Sequence, residues 1–323
     1  MTVKKRSFDL VTPIAITGFT FTKTDTVTVE LKTPEAHGRG EGIGVYFKNE
    51  TAQSIMADLE RVRSEVEAGV SREEAQKLLP PGGARNALDC ALWDLDCKKQ
   101  GKSIWQLLGI TPKPLTTVAT VGIDTPSNMA ARAKDLVTYS FLKIKLDGEK
   151  PIKRLKAIRK ARPDARLIVD VNQGWSYDKL KECLPDLMAL DIEMVEQPLA
   201  RDLDASLETL KSPIPLTADE SCIGLTEYGW AKRRYNAINI KLDKCGGLTE
   251  ALKIIKKARR DGIDLMVGNM TGSSLSMAPA FVVGQFCKYV DIDGPLNFKS
   301  DIENAMTYAK GGEVAIPSTK LWG

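Results

Sequence analysis

Short apolar runs rich in branched side chains return along this chain at intervals of about one strand-plus-helix unit, and the runs end in charged residues. The runs are Phe141-Leu142, Leu167-Ile168-Val169, Ile192 to Val195, Ile214 to Leu216 and Ala237 to Ile240. The charged residues just beyond or among them are Lys143 and Lys145, Asp170, Glu196, Asp219 and Lys241. Apolar stretches of this kind suit strands buried on both faces of a parallel sheet. Between them apolar residues recur every three or four positions, as in Leu180, Leu184, Leu187 and in Leu252, Ile255, Ala258, which is the spacing of amphipathic helices. Regular alternation of strand and helix predicts an α/β fold with a βα barrel. Active sites of such barrels are built at the C-terminal ends of the strands, where each of these charged residues falls.

At 323 residues the chain suits a full barrel plus a smaller companion domain. Residues 1–112 read as an α+β capping domain. Thr26-Val27-Thr28-Val29-Glu30-Leu31 alternates like a strand, Gly38 to Gly44 reads as a turn, and Ala84, Ala87, Leu88, Ala91, Leu92 and Leu95 form an apolar helical stripe. Thr111-Pro112-Lys113-Pro114 cannot be helical and reads as a linker. Residues 113–293 are assigned to the barrel, opening with a strand over Thr116 to Val121. Residues 294–323, after Gly294-Pro295, are assigned to a tail that packs back on the cap.

Charge and composition exclude several classes. The net charge is +4 with Lys and Arg scattered along the chain, so there is no nucleic-acid footprint. The basic start Met1 to Arg6 has no apolar signal core behind it, and no run of about 18 apolar residues follows anywhere. A soluble, cytoplasmic protein without a membrane partner is expected. The six cysteines show no CxxC pair or zinc-like spacing and read as ordinary buried thiols. The single histidine, His37, falls in the turn Glu35 to Gly40, away from any strand end. One histidine rules out a multi-His zinc site and a Ser-His-Asp triad elsewhere, so a general base must be lysine, carboxylate, cysteine or tyrosine.

Counting from Thr116 to Val121 as strand one puts Lys143 and Lys145 on strand two, Asp170 on three, Glu196 on four, Asp219 on five and Lys241 on six. Side chains two apart share a face, so both lysines of strand two point into the barrel mouth. Strands two and six lie across an eight-fold barrel, which places a lysine on each side of anything bound at the axis. Asp170, Glu196 and Asp219 come from three adjacent strands between them. Converging carboxylates repel unless a cation joins them, and an all-oxygen set suits a hard divalent ion such as magnesium. The bland alternative is a set of structural ion pairs. With the metal, two opposed lysines can remove and return the proton of a carbon α to a carboxylate, which is a racemase or epimerase arrangement. A neutral lysine base requires a pKa lowered toward roughly 7–8. Lys143 beside Lys145, and the cation, both push that way.

The motifs Lys143-Ile-Lys145, Asp170-Val171-Asn172, Glu196-Gln197-Pro198, Asp219-Glu220-Ser221, Asn239 to Lys244, Gly246-Gly247-Leu248 and Ala84 to Asp89 together resemble the enolase superfamily, its muconate-lactonizing subgroup and, within that, the dipeptide epimerases. The resemblance covers most of the chain. It implies a modified (β/α)7β TIM barrel under a cap made from both termini, one Mg2+ per subunit on Asp170, Glu196 and Asp219, and Lys145 and Lys241 as the two acid/base groups. It also implies Lys143 as an assistant to the base and the enolate, and Asn172 and Asp243 as supporting residues.

Asp291-Ile292-Asp293 resembles the Asp-x-Asp signature of dipeptide epimerases. Strand eight lies opposite strand four, so Asp291 and Asp293 would hold the ammonium end of a zwitterionic dipeptide whose carboxylate sits at the metal. They would repel a muconate or succinylbenzoate anion. Gly268 and Met270 are further candidate substrate-binding residues. In the family a cap loop near residues 17–25 covers the epimerised side chain and carries an arginine in the Ala-Glu epimerases. Here the stretch Thr17 to Asp25 has none, and Lys23, or Arg39 or Lys48 from the next loop, would supply the cation. Phe19 and Phe21 would make an apolar pocket or belong to the cap core. The lead expectation is L-Ala-D/L-Glu, in murein peptide metabolism. The alternatives are other L-Ala-L-Xaa dipeptides, an N-acylamino acid racemase or o-succinylbenzoate synthase, a sugar-acid dehydratase, or a barrel that only binds. A homo-oligomer is left open.

Overall fold

The computed structural model describes all of residues 1–323. Eight parallel strands make one sheet: Ala119–Val121, Phe141–Lys145, Arg166–Asp170, Ile192–Glu196, Leu216–Ala218, Ala237–Ile240, Asp264–Val267 and Tyr289–Val290, each paired with its sequence neighbours. The amide of Val118 donates to the carbonyl of Val290 at 2.9 Å, which joins the first strand to the last and closes the barrel. We number these barrel strands one to eight. Expected helices lie between them, among them Tyr177–Ala189 and Leu248–Asp261.

Strand one differs from its sequence reading. Leu115–Thr116 pairs antiparallel with Glu313–Val314, and only Ala119–Val121 enters the barrel. A single apolar stretch therefore serves two sheets, which hydrophobicity alone does not divide.

Inward-facing positions are layered. Phe141, Ile168, Met194, Met266 and Tyr289 form a buried apolar cluster with Val118. Two residues further along the same strands come Lys143, Asp170, Glu196, Gly268 and Asp291. Because side chains two apart share a face, the polar layer rests on a dry apolar floor, as the stacked layers of such barrels require. Burial on this floor makes the charges above it sensitive to one another.

Ahead of the barrel, Thr2–Ile16, Phe19–Lys32 and His37–Ile43 form a three-stranded antiparallel sheet packed on the helix Gly83–Gln100. The segment Gly38 to Gly44, expected to be a turn, is largely strand, and His37 begins that strand beside Glu30 rather than lying in a turn. A Cβ at Gly38, Gly40 or Gly42 would overlap the backbone carbonyl oxygens of Ala91, Ala87 or Gly83. Every second residue is glycine so that a helix can lie directly on the strand, a role for glycine distinct from turning the chain.

The expected loop over residues 17–25 is instead the tip and returning arm of a hairpin. Ile16 pairs with Phe19 across a turn in which Gly18 has φ 77, the positive φ such a turn needs. The C-terminal residues return to this region: Leu10 bridges Phe298, Trp322 Nε1 donates to Cys90 O at 2.9 Å, and the Gly323 amide donates to Asp94 at 2.7 Å. All six cysteines are free thiols, five of them buried. No helix is long and apolar enough to cross a membrane.

Candidate active site

The barrel mouth gathers the predicted charged set at one place. Carboxylate oxygens of Asp170, Glu196 and Asp219, all buried, lie within 4.8 Å of one another. Lys143 Nζ, itself 1 % exposed, lies 3.0 Å from Asp170 Oδ2, 2.7 Å from Glu196 Oε2 and 2.8 Å from Asp291 Oδ2. Lys145 Nζ donates to Asp170 Oδ2 at 2.6 Å and to Asn172 Oδ1 at 3.1 Å. Across the mouth Lys241 Nζ donates to Asp219 Oδ2 at 2.7 Å. The ion pairs of the bland alternative are therefore present, but they consist of the same residues that would hold a metal.

Several features show that lysines alone do not complete this cluster. Glu196 Oε2 and Asp219 Oδ1 are buried and accept no hydrogen bond, although Lys143 and Lys244 stand within ion-pair distance of them. Burial and the charge of Asp170 raise the Glu196 carboxyl to about 7 despite Lys143 beside it. Burial also works against ionised Asp170, but Lys143 and Lys145 outweigh it and hold that carboxyl at about 2. Asp219 is likewise lowered, by Lys241 and Lys244 against burial. Two carboxylates are thus ionised and a third is close to it, on a dry floor, with unfilled oxygens. That donor set fits a hard divalent cation held by oxygen.

The lysines depart from expectation in one respect. Burial pushes Lys241 down, but the charge of Asp219 more than reverses this, so its pKa is raised rather than lowered. Lys143 is buried too, yet Asp170, Asp291 and Glu196 keep it well above the ordinary lysine value. A lysine paired with a bare carboxylate is stabilised as the ammonium. Neutral base character at Lys241 requires Asp219 to share its charge with a cation.

Four residues complete the frame: Lys244, Asn239 and Gln197, which the sequence reading quoted in motifs without giving them a role, and Tyr46, which it did not name. Lys244 is buried, pairs with Asp219 Oδ1 at 2.6 Å and donates to the carbonyls of Cys222 and Asn239. Asn239 Nδ2 donates to Glu196 Oε1 at 2.6 Å; it lies two residues before Lys241, so the same-face rule that joined Lys143 to Lys145 would have found it. Gln197 Oε1 accepts from the amides of Asp219 and Ser221 and fixes the end of strand five. Tyr46, from the cap, donates to Glu220 Oε1 at 3.1 Å. Nothing in its local sequence marks it.

Above the cluster lies a cavity of ≈ 350 Å³, lined by Ile14, Ile16, Phe21, Lys23 and Tyr46 from the cap and by Lys143, Lys145, Lys241, Asn172, Met270, Asp291 and Asp293 from the barrel, among others. The hairpin tip is docked there, with Thr17 Oγ1 donating to Val171 O at 2.8 Å. Asp243 joins cap to barrel by accepting from the Ile43 amide and Asn86 Nδ2. Gly268 stands behind the wall, where an added Cβ would lie 2.7 Å from Asn239 and 3.0 Å from the Lys241 stem.

Of the candidate side-chain cations, Lys23 alone faces the cavity. Arg39 donates to the carbonyls of Lys320 and Leu321, and Lys48 to that of Pro81. Phe21 lines the cavity and Phe19 is 44 % exposed, so neither is a cap core residue. Asp291 is committed to Lys143, and its other oxygen accepts from Asn269 at 3.2 Å. Asp293 Oδ2 accepts from the Thr120 amide at 3.0 Å, and burial with the neighbouring Asp291 charge raises its carboxyl to about 7.

Residues 1–109 match the mandelate racemase / muconate lactonizing enzyme N-terminal domain, and residues 128–320 match the enolase C-terminal domain-like family. The chain belongs to the enolase superfamily. Among relatives of this superfamily it is 43% identical over 277 residues to the L-Ala-D/L-Glu epimerase of Escherichia coli K12, spanning 85% of this chain and 86% of that one. It is 42% identical over 245 residues to an N-acetyl-D-glutamate racemase of Pseudoalteromonas, spanning 76% and 78%.

An enolase family member from Agrobacterium tumefaciens with homology to dipeptide epimerases, solved with bound sodium and L-Ala-L-Glu, superposes with TM-score 0.97 at 38% identity, covering 100% of this chain and 99% of that one. The dipeptide epimerase of Cytophaga hutchinsonii, complexed with Mg and D-Ala-L-Val, superposes with TM-score 0.91 at 26% identity, over 98% and 92% of the two chains.

Proposed function

We propose that this protein is a magnesium-dependent dipeptide epimerase that inverts the carbon α to the free carboxylate, with L-Ala-L-Glu and L-Ala-D-Glu as its substrate pair. What supports the reading most is that Lys145 ends strand two and Lys241 follows strand six of eight, both lining the cavity, with the acidic cluster carried by the strands between them.

Asp170, Glu196 and Asp219 would hold the magnesium ion. Bound there, it would supply a positive charge against which the substrate carboxylate can gather negative charge. Lys145 Nζ and Lys241 Nζ exchange roles: one takes the α-proton, the other delivers a proton to the opposite face. Buried Lys143 keeps its charge and holds the negative side chains in register. Asp293 receives the dipeptide ammonium at the far wall, and Lys23 receives the glutamate side-chain carboxylate from the cap side. The docked hairpin lies over part of the cavity.

Racemisation of N-acetylglutamate is a second reading, supported by the Pseudoalteromonas relative. Asp293 argues against it, because an acetyl group offers no cation to a carboxylate. The test is incubation of L-Ala-L-Glu, L-Ala-L-Leu and N-acetyl-L-glutamate with magnesium in deuterium oxide, read by mass spectrometry and chiral chromatography. The proposal expects a one-dalton gain with inversion of L-Ala-L-Glu, at kcat/KM well above the other two. Preference for N-acetyl-L-glutamate would transfer the assignment to the second reading.

A further inference from the structure

We infer that Tyr46 of the cap is a positioning residue for Lys145, acting through Glu220 and Asn172. The inference rests on Lys145 and Lys241 being the two bases. Four side chains make a continuous path. The Tyr46 hydroxyl donates to Glu220 Oε1 at 3.1 Å, Asn172 Nδ2 donates to the same oxygen at 3.3 Å, and Lys145 Nζ donates to Asn172 Oδ1 at 3.1 Å. Donor chemistry fixes the Asn172 amide between its neighbours, because an ammonium offers only protons and a carboxylate oxygen accepts them. The Asn172 backbone has φ 44, with its amide bonded to Asp170 Oδ1 at 3.0 Å, so side-chain rotation is the freedom left to it.

Glu220 is fully buried, and its Oε2 has no hydrogen-bond partner. Tyr46 and Asn172 are its side-chain donors. Loss of the tyrosine hydroxyl leaves Asn172 alone with a dry, under-satisfied carboxylate and draws the amide away from Lys145. When Asp170 lends its charge to a cation, Asn172 becomes the neutral partner that still aims Lys145 at the cavity. Lys241 hangs from Asp219 and makes no hydrogen bond to this path; the Glu220 charge reaches it, but that charge stays in place when only the Tyr46 hydroxyl is removed. On the cap side, Phe19 and Phe21 meet the Tyr46 ring edge-on at 4.7 Å and 6.0 Å between centroids. The hairpin that covers the substrate therefore also braces the residue that orders one base.

The experiment puts Tyr46→Phe, which keeps the ring, into two parents. In Lys241→Ala only Lys145 remains to exchange a substrate α-proton, and in Lys145→Ala only Lys241 remains. Exchange of each epimer is followed in deuterium oxide at saturating magnesium, and magnesium affinity is measured by calorimetry. The parents judge the two-base reading by themselves, and the added change judges Tyr46. Tyr46→Phe is expected to lower Lys145-dependent exchange about tenfold, the scale of one hydrogen bond to a charged group, and at least about fivefold more than Lys241-dependent exchange. Magnesium affinity should stay within about twofold. Equal losses in the two parents, no loss in either, or a parallel loss of magnesium affinity would each overturn the inference.

Discussion

Lys143 and Asp291 form a buried ion pair, Nζ to Oδ2 2.8 Å, that ties barrel strand two to the segment after strand eight. Two aspartates that look equivalent in the Asp291-Ile292-Asp293 motif are therefore unequal. Both line the cavity, but Asp291 balances a buried lysine, while Asp293 keeps a carboxylate with one backbone donor. Replacing Asp293 by Asn should raise KM for L-Ala-L-Glu and lower kcat/KM by about tenfold or more, the loss of one charge-assisted hydrogen bond. Asp291→Asn should fall mainly on kcat, because it unsettles Lys143. Steady-state kinetics of the two variants checks the split; identical effects would return both residues to a shared ammonium site.

The same ion pair predicts a stability effect that magnesium reverses. Lys143→Met leaves Asp170, Glu196 and Asp291 facing one another without their shared cation. Removing one partner of a buried charge cluster costs about 3–5 kcal/mol. Thermal melts in chelator should show a large drop in Tm for the variant, and added magnesium should recover more Tm in the variant than in the parent. A binding ion stabilises the folded state in proportion to the logarithm of its concentration over Kd. In the parent, excess chelator should abolish epimerisation, and Asp219→Asn should weaken magnesium binding.

The barrel and its charged ring were legible because they follow from two short periods, the βα repeat and the alternation of side chains along a strand. What stayed hidden was long-range. Tyr46 reaches Glu220 across 174 residues of sequence, a contact without any local signature. The glycines at 38, 40 and 42 carry the same letter whether the chain turns or a helix presses on it, and only the position of the helix Gly83–Gln100 decides between them. The pKa of Lys241 escaped for a related reason: ion pairs with the carboxylates were weighed only as an alternative to the metal, and the expectation of a lowered lysine counted the neighbouring lysine and the cation but not the carboxylate that claims Lys241.

Cap and barrel meet through a carboxylate that should report on pH. Glu41 is fully buried, accepts from the Ser273 amide and hydroxyl at 2.8 Å each, and is raised by burial to about 7. A carboxyl raised from its ordinary value of 4.5 contributes stability fully below that value, and the contribution is lost as pH climbs through about 7. The penalty at pH 8 is about 3 kcal/mol at most. Glu41→Gln removes the ionisation, so its Tm relative to the parent should improve by several degrees between pH 5 and pH 8. A constant difference across that range would mean that Glu41 stays in one protonation state.

Side-chain specificity should hang on Lys23. It faces the cavity from the cap hairpin, and Asp25, two residues along the same strand, is held by Lys5 at 2.7 Å rather than by Lys23. A flexible ammonium gives less directional pairing with a carboxylate than a guanidinium fork, so the glutamate preference should be moderate and should sharpen in Lys23→Arg. Around it, Ile14, Ile16 and Phe21 offer apolar wall that a hydrophobic side chain can also use. Lys23→Met should lower kcat/KM for L-Ala-L-Glu about tenfold, or about 1.4 kcal/mol in transition-state binding, while leaving L-Ala-L-Leu unchanged or improved. Measuring both substrates against the three proteins decides the point: if Lys23→Met treats L-Ala-L-Glu as the parent does, the glutamate carboxylate is held elsewhere.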